Sequence, residues 1–325
     1  MSAISLLRCI AVIPALAAAC GPALAESTFP SKPIQFIVPY PPGGSNDLFA
    51  RAIGKRLAET FGKPVIVDNR SGAGGSVGAG LAAKAAPDGH TLVIVSSSFT
   101  TNAAVQSGLA FDPVKSFTPV ALVGKGPMIL AVAPTVPAKT AAEFFALARS
   151  KPGKLNYASS GPGSINQFAT ELLIGAAGIQ MTHVPYKGMG PAVNDLIAGH
   201  VDVLVASVPS LMSQLKAGKA RGIGVTTLSA SPVAPGLPPL ADAGAKGYNV
   251  ELWWGVLAPA GVPKEIVAKL NAEINRALAT AEMKEFLVRE GAVPAPTSAE
   301  QFGILIRSDI QRWQKVAKDA GIQPE

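Results

Sequence analysis

The sequence predicts an α/β protein of two lobes, each lobe a mainly parallel β-sheet flanked by helices, with a ligand cleft between the lobes. One observation behind this prediction is that short apolar strands alternate with helical segments along most of the chain, as in parallel sheets covered by helices. A second is that a glycine-serine turn precedes a helix at two places 119 residues apart. The recurrence suggests that each lobe offers one such helix start to the cleft.

The first glycine-serine turn follows a buried strand predicted over Pro33 to Pro39 and precedes an amphipathic helix predicted over Leu48 to Glu59. The first N–H groups of a helix lack intrahelical partners and carry partial positive charge, so a helix start of this kind can bind an anion. Asp47 either complements the helix dipole or recognises a ligand ammonium or hydroxyl group, and the sequence leaves both roles open. The candidate ligand-binding residues of this turn are Tyr40, Pro42, Gly43, Gly44, Ser45, Asn46 and Asp47.

The second glycine-serine turn has the same design. Leu155 to Ala158 is predicted as a strand, the next residues turn on two glycines, and Ser164 is predicted to cap a helix that begins near Ile165. Gly, Ser, Phe and Ala recur in register between residues 44–50 and 163–169. Two such helix starts facing each other across a cleft would hold a small anion. The candidate ligand-binding residues here are Ser159, Ser160, Gly161, Gly163 and Ser164.

Three further strands end in polar residues. Ligands of parallel α/β sheets bind beyond the carboxyl ends of the strands, so these residues are also candidates. Phe99 either faces an apolar or aromatic ligand or packs in the core, and Lys187 either contacts the ligand or is a solvated loop residue. The candidates that follow the strands predicted at 91–95, 181–184 and 201–206 are Ser97, Ser98, Phe99, Asn102, Tyr186, Lys187 and Ser207.

Two extended apolar segments divide the chain. Val120 to Ala133 and Val250 to Ala258 are predicted to cross between the lobes and to form their hinge. The first lobe then contains residues 26–125 and 250–325, and the second contains residues 126–249. Thr140 and Ser298 begin capping-box patterns that mark the starts of two helices.

Residues 1–25 are predicted to be a signal peptide. Arg8 precedes a short apolar run, and Ala23-Leu-Ala25 provides a small-residue cleavage pattern. We therefore expect an exported, periplasmic protein that begins at Glu26. Lipid anchoring at Cys20 is the alternative, because small residues also precede that cysteine.

Composition argues against several function classes. Both cysteines lie within residues 1–25, so the exported chain has no disulfide and no thiolate metal site. Removing Arg8 leaves 27 basic and 21 acidic residues, a net charge of +6 without basic runs, so no nucleic-acid partner is expected. The three histidines lack zinc-type spacing, and no nucleophile or cofactor motif is complete. We expect no catalytic residue, no metal and no cofactor.

Several motifs together resemble one known family. They are Ile37-Val-Pro-Tyr-Pro-Pro-Gly-Gly-Ser-Asn-Asp47, Val67-Asp-Asn-Arg70 with Gly72-Ala-Gly-Gly75, Pro87-Asp-Gly89, Pro152-Gly-Lys-Leu-Asn-Tyr-Ala-Ser-Ser-Gly161, His183-Val-Pro-Tyr-Lys-Gly188 and Trp254-Gly-Val-Leu-Ala-Pro-Ala-Gly261. The chain resembles the exported solute receptors of tripartite tricarboxylate transporters, of the TctC or Bug type.

The resemblance implies a two-lobed, type II-like periplasmic binding protein that closes over a small carboxylate. We expect a monomer, and because of Phe99 both an aromatic carboxylate and a dicarboxylate stay open as the ligand. The resemblance further implies that the receptor delivers the ligand to a membrane permease of two subunits. It also implies that the turns at 40–47 and 159–164 bind the carboxylate. The same fold can also serve as the sensing subunit of a membrane signalling kinase. The sequence does not separate transport from sensing.

Overall fold

A computed structural model of the protein describes residues 29–322. The predicted signal peptide, its cleavage site and Cys20 lie outside the described residues. Within residues 29–322, no helix is long and apolar enough to cross a membrane.

The strands follow the predicted alternation closely. They are β1 Ile34–Val38, β2 Val65–Asn69, β3 Thr91–Ser96, β4 Phe117–Val132, β5 Asn156–Ser159, β6 Thr182–Pro185, β7 Val203–Ser207, β8 Arg221–Val225, β9 Glu251–Pro259 and β10 Val293–Pro294.

The helices fill the connections between the strands and close the chain. They are α1 Ser45–Phe61, α2 Ser76–Ala83, α3 Ser97–Val105, α4 Ala141–Ser150, α5 Ile165–Ala177, α6 Met189–Ala198, α7 Val208–Lys216, α8 Lys264–Ala279, α9 Ala281–Arg289 and α10 Ala299–Ala320. A short 3-10 turn at Ala73–Gly75 precedes α2.

The strands form one mixed sheet in which neighbours follow the path β2-β1-β3-β9-β4-β7-β5-β6, with β8 and β10 also paired to β4. The strands β2, β1 and β3 are parallel to each other, and so are β7, β5 and β6. The central strands β9 and β4 are antiparallel to their neighbours. The predicted α/β class is confirmed, and the parallel pairing that was predicted for each lobe occupies the two ends of the sheet.

Strand β4 connects the two parallel groups. Its residues up to Pro127 pair with β9, and from Met128 onward they pair with β7. Nearly every residue of β4 is buried, which explains why the sequence of this strand is an almost unbroken apolar run.

The core extends along both faces of the sheet. Phe49 of α1 and Phe168 of α5 are fully buried at equivalent places of the two glycine-serine units. Trp253 and Phe302 pack edge to face where β9 meets α10, with ring centroids 5.5 Å apart. Burial of such apolar surface is the main stabilising contribution to folding.

Two helices were missing from the sequence prediction. Helix α3 begins at Ser97, where Ser-Ser-Phe-Thr-Thr is poor in intrinsic helix formers. Helix α9 begins after Thr280, whose side chain accepts a hydrogen bond from the Met283 N–H. Tertiary packing overrides weak local propensity at α3, whereas the Thr280 cap was a readable signal.

Candidate functional site

The candidate residues lie at the carboxyl ends of the parallel strands. The turns after β1 and β3 carry the candidates of the first half, and the turns after β5, β6 and β7 carry those of the second half. Parallel strands present these ends at one edge of their sheet. The fold therefore gathers each half of the predicted site at one edge.

Helix α1 begins without a side-chain cap. Its N-cap is Gly44, and no side chain accepts a hydrogen bond from the first N–H groups. Gly44 is exposed, and Ser45 and Asn46 are half-buried. The Oδ1 atom of Asn46 is shielded from solvent and has no hydrogen-bond partner among the residues that the structure describes. This helix start is open to an anion.

The Asp47 carboxylate is engaged inside its own turn. It accepts hydrogen bonds from the Gly43 N–H at 3.0 Å, from Arg51 Nε at 3.0 Å and from Asn69 Nδ2 at 3.0 Å. Burial alone would raise the pKa of Asp47, but the hydrogen bonds from Arg51, Gly43 and Asn69 hold it below its ordinary value. All of these contacts hold the turn itself, so the structure supports a structural role for Asp47.

A glycine turn between β2 and α2 packs against the first turn. A Cβ on Gly75 would lie 3.0 Å from the Tyr40 hydroxyl oxygen, and Asn102 Nδ2 donates to the Gly74 carbonyl at 2.7 Å. Burial raises the pKa of Tyr40, and the Ser96 and Ser98 hydroxyls beside it act in the opposite direction. Only glycine permits the close approach at these two positions, since both also have positive φ.

Two candidates on α3 point into the protein. Ser97 is fully buried, and its Oγ accepts a hydrogen bond from the Trp253 N–H at 2.8 Å. Phe99 is 6% exposed, stacks on Phe111 at 6.0 Å and meets Phe117 edge to face at 5.6 Å. The structure therefore gives both side chains packing roles, and contact between Phe99 and a ligand stays a prediction.

The second glycine-serine turn is held by its own hydrogen bonds. Ser164 caps α5 as predicted, accepting from the Gln167 N–H, and its Oγ donates to the Gly161 carbonyl at 2.6 Å. Ser159 is fully buried, whereas Ser160 is half-buried and donates to Asn166 Oδ1 at 2.8 Å. Unlike α1, this helix uses a serine cap, so the two related units begin their helices one residue apart in register.

The remaining candidates of the second half border the same edge. The Tyr186 N–H donates to the Ser159 carbonyl at 3.1 Å, and the Tyr186 hydroxyl donates to Asp195 at 2.6 Å. Lys187 is exposed and has no salt-bridge or hydrogen-bond partner for its ammonium group among residues 29–322. Ser207 is the N-cap of α7, and its hydroxyl lies 2.8 Å from that of Ser210.

Asn102 is where the two halves of the site meet. While its amide donates to Gly74 in the first half, its Oδ1 lies 3.8 Å from the position that a Cβ on Gly163 would occupy. The same Cβ would lie 3.3 Å from Val105 of α3. Contact between α3 and the Gly163 turn thus joins the two sets of candidates.

A small cavity lies on the first-half side of this contact. It is bordered by Tyr40, Gly75, Phe99 and Asn102, and its free volume is about 10 Å³, which is about the room for one water molecule. Larger cavities of about 530 and 560 Å³ lie elsewhere, beside α7 and between α5 and α10, and contain none of the predicted site residues.

Sequence reasoning missed several residues that shape the site. Asn69 links Asp47 to the Tyr40 carbonyl, and Gly74 and Gly75 pack against two candidates. Their position at the carboxyl end of β2 is the signal that could have identified this turn as part of the site. His183 and Gln167 contact the second turn from β6 and α5, and no local sequence pattern indicates those contacts.

The site offers the uncapped N–H groups of α1 and the exposed ammonium group of Lys187, which are groups that bind anions. Among residues 29–322, no three histidine, cysteine, aspartate or glutamate side chains are placed to hold a metal ion. The fold and the open helix start define a ligand-binding protein. Residues 49–322 match the family model described as the tripartite tricarboxylate transporter family receptor, TctC, and the chain belongs to this family of substrate-binding receptors, which are not enzymes.

Similar proteins agree with this assignment. Protein BugT of Bordetella pertussis is 33% identical over 99% of both chains. The Rhodopseudomonas palustris protein Rpa4515, solved with adipate, has a TM-score of 0.83 at 36% identity, covering 91% of this chain and 100% of its own. MatC from Rhodopseudomonas palustris, solved with bound malate, has a TM-score of 0.77 at 34% identity, covering 89% and 99%. The resemblance to the TctC and Bug receptors is confirmed.

Proposed function

We propose that this receptor captures a small carboxylate between the turns at 40–47 and 159–164 and delivers it to a tripartite tricarboxylate-type transporter. The observation that carries the proposal is the start of α1 at the exposed Gly44, where no side chain caps the first N–H groups. A carboxylate oxygen can accept hydrogen bonds from N–H groups at such a start.

Other helices around the candidate site share this feature. The N-caps of α2, α3, α6 and α7 make no side-chain cap hydrogen bond either. Ser164, in contrast, caps α5 at the site itself. Away from the site, Thr140, Thr280 and Ser298 cap their helices, and α8 has no side-chain cap. Helix starts without an internal acceptor supply several donors for one anion.

Lys187 supplies the formal charge in this proposal. It is the exposed ammonium in the turn after β6, and its backbone neighbours Tyr186 and Gly188 are hydrogen-bonded to the Ser159 and Ser160 carbonyls. Three or four hydrogen bonds to a charged carboxylate contribute roughly 1.5–3 kcal/mol each before ordering costs. The sum is roughly 4.5–12 kcal/mol before ordering costs, and micromolar affinity needs about 8 kcal/mol, so micromolar binding is within reach.

Dicarboxylates are the first ligands to test. Adipate and malate were seen in two similar receptors, and both have the size and charge that the open helix start and Lys187 favour. A ligand of this size exceeds the small cavity beside Asn102, so the contact between α3 and the Gly163 turn must open for it to enter.

We further propose that residues 26–125 and 250–325 form one lobe, that residues 126–249 form the other, and that the ligand closes them. The change of partner strand along β4 at Pro127 and Met128 supports a hinge there. Export to the periplasm, a two-subunit membrane permease and a monomeric receptor complete the proposal.

The test uses matched acids and esters. Adipate and malate should raise the melting temperature of the purified chain, and their dimethyl esters should leave it unchanged, because only the acids are anions at neutral pH. Native mass spectrometry of the protein from its own host identifies any retained ligand by mass. Equal shifts for acid and ester would refute the anion site.

A further inference from the structure

A chain of hydrogen bonds runs behind the second glycine-serine turn. The Gly163 N–H donates to Gln167 Oε1 at 2.8 Å, and Gln167 Nε2 lies 3.4 Å from His183 Nδ1. On its other side, His183 Nε2 lies 2.7 Å from Ser159 Oγ, which in turn lies 3.2 Å from the Gly161 nitrogen. The imidazole therefore connects both ends of the Gly161–Gly163 segment.

These contacts require one form of the imidazole. Because Gln167 Oε1 accepts from Gly163, the end of the amide that faces His183 is the NH₂ group, which only donates. His183 Nδ1 must then be an acceptor, and the single ring proton lies on Nε2, directed at Ser159. His183 is neutral in this arrangement, and burial lowers its pKa in agreement with it.

We infer that His183 is a positioning residue of the carboxylate site: its neutral form holds the Gly161–Gly163 segment in the binding conformation, and its protonation releases that segment and lowers carboxylate affinity. The inference rests on the proposed function for its ligand and on the hydrogen-bond chain for its mechanism.

Protonation would place two donors face to face. A proton on His183 Nδ1 repels the Gln167 NH₂ group, so the amide must turn and withdraw Oε1 from the Gly163 N–H. Gly163 is buried, and an unpaired buried N–H group is costly. The Gly163 N–H then regains a partner only if the turn moves.

No carboxylate forms a salt bridge with the His183 imidazole among residues 29–322. The Tyr157 ring stacks on the imidazole with centroids 4.8 Å apart, and the Tyr157 hydroxyl is hydrogen-bonded to Glu171. Tyr157 and Glu171 are the titratable groups on the adjacent β5 and α5, and neither forms a salt bridge with His183 among the described residues. Burial raises the pKa of both groups.

The sign of the pH effect distinguishes this inference from simple electrostatics. A histidine that only added positive charge near the site would strengthen carboxylate binding as pH falls. A histidine that must be neutral weakens binding instead. Because the pKa of His183 is lowered, carboxylate affinity should begin to fall only below about pH 6.5. Once the pH is below the pKa of His183, affinity should fall by about tenfold for each further pH unit.

The experiment has one part without ligand and one with adipate. In the ligand-free protein, NMR should show His183 with its proton on Nε2, and the Gly163 amide signal should titrate with the same midpoint as His183, while the distant Gly62 amide stays fixed. Calorimetry should show adipate affinity falling as pH drops below about 6.5, by more than protonation of adipate itself accounts for. His183→Gln, which keeps a donor toward Ser159, should remove most of this pH dependence.

His200→Gln is the matched control. His200 is an exposed histidine in the same half of the chain, 3.4 Å from Asp195, and its replacement should leave the pH profile unchanged. A Gly163 amide that does not follow His183, or adipate binding that strengthens as pH falls, would overturn the inference. If the Gly163 amide does titrate with His183 but adipate does not bind at any pH, the positioning role stands and the proposed ligand is wrong.

Discussion

The indole Nε1 of Trp253 donates a hydrogen bond to Oδ2 of Asp309 at 2.7 Å, which ties strand β9 to helix α10. The Thr100 hydroxyl lies 3.2 Å from the same carboxylate oxygen, and the Trp253 N–H donates to Ser97. Helix α3, which carries Asn102 at the meeting point of the two halves, is therefore fixed to β9 and α10. A small displacement of β9 relative to α10 would therefore also move α3 and Asn102.

Asp309→Ala should destabilise the protein. It leaves the buried Trp253 Nε1 without an acceptor, which costs about 1–3 kcal/mol of unfolding free energy. Urea denaturation measures the loss. Asp319→Ala is the control, because it removes only an exposed ion pair with Lys315 worth about 0–1 kcal/mol. Equal losses in the two variants would show that the Asp309 contact adds nothing.

Gly255→Ala should destabilise the centre of the sheet. A Cβ at this position would lie 2.1 Å from Cζ of Phe302, a contact that requires β9 or the ring to move. Overpacking of this kind costs about 1–3 kcal/mol.

Phe302→Leu in the Gly255→Ala background should recover part of that loss, which a double-mutant cycle in urea would detect. Gly175→Ala is the matched control: a Cβ there meets nothing within 4 Å in helix α5, so the change should stabilise the protein by up to about 1 kcal/mol. Additive effects of the Gly255 and Phe302 substitutions would contradict the clash.

Asp47→Asn should lower stability in a pH-dependent way. The pKa of the Asp47 carboxyl is lower in the folded protein, so its ionised form contributes stability above its unfolded pKa of about 3.9. That contribution is lost as pH falls through the folded value. We expect the difference in unfolding free energy between wild type and variant to be about 1–3 kcal/mol near pH 7 and to shrink below about pH 3.9. A difference that is constant across this range would contradict the carboxylate's role.

Phe99→Ala should reduce stability by about 3–5 kcal/mol, because the ring is buried between Phe111 and Phe117. Calorimetry on Phe99→Leu, which keeps most of the buried volume, tests ligand contact separately. If Phe99 only packs, the affinities for adipate and for phenylacetate should change equally. A selective loss of about three- to tenfold for phenylacetate would instead show that the ring faces the ligand.

The two glycine-serine units show how far the sequence could predict the fold. The strands before them and the helices after them were predicted because their apolar periodicity and caps are local signals. Ser164 caps its helix as expected, whereas α1 has Gly44 as its N-cap and begins at Ser45, three residues before the predicted Leu48. The sequence pattern that the two units share corresponds to the buried Phe49 and Phe168. The two units differ in which residue is the N-cap of the helix.

The site was harder to predict than the fold. Its edges follow from the rule that ligands bind at the carboxyl ends of strands, and the candidates at 40–47 and 159–164 lie there. Whether a side chain faces the ligand depends on contacts from distant segments. The Ser97 hydroxyl accepts a hydrogen bond from the Trp253 N–H, and the Ser159 hydroxyl is hydrogen-bonded to the His183 ring. Such pairings arise only when β9 and β6 are placed, so local sequence does not indicate them.

The most direct test of the account is a calorimetric titration with adipate on variants from both halves of the site. Asn46→Ala removes the Nδ2 donor and Lys187→Ala removes the Nζ donor. Neither donor has a hydrogen-bond partner within residues 29–322, and Asn46 Oδ1 has none there either, so both variants should fold normally. We predict one adipate bound per chain and a loss of about tenfold or more in each variant, while Lys219→Ala, an exposed control in the same half as Lys187, binds as wild type. Wild-type affinity in either Asn46→Ala or Lys187→Ala would contradict a ligand held between the two turns.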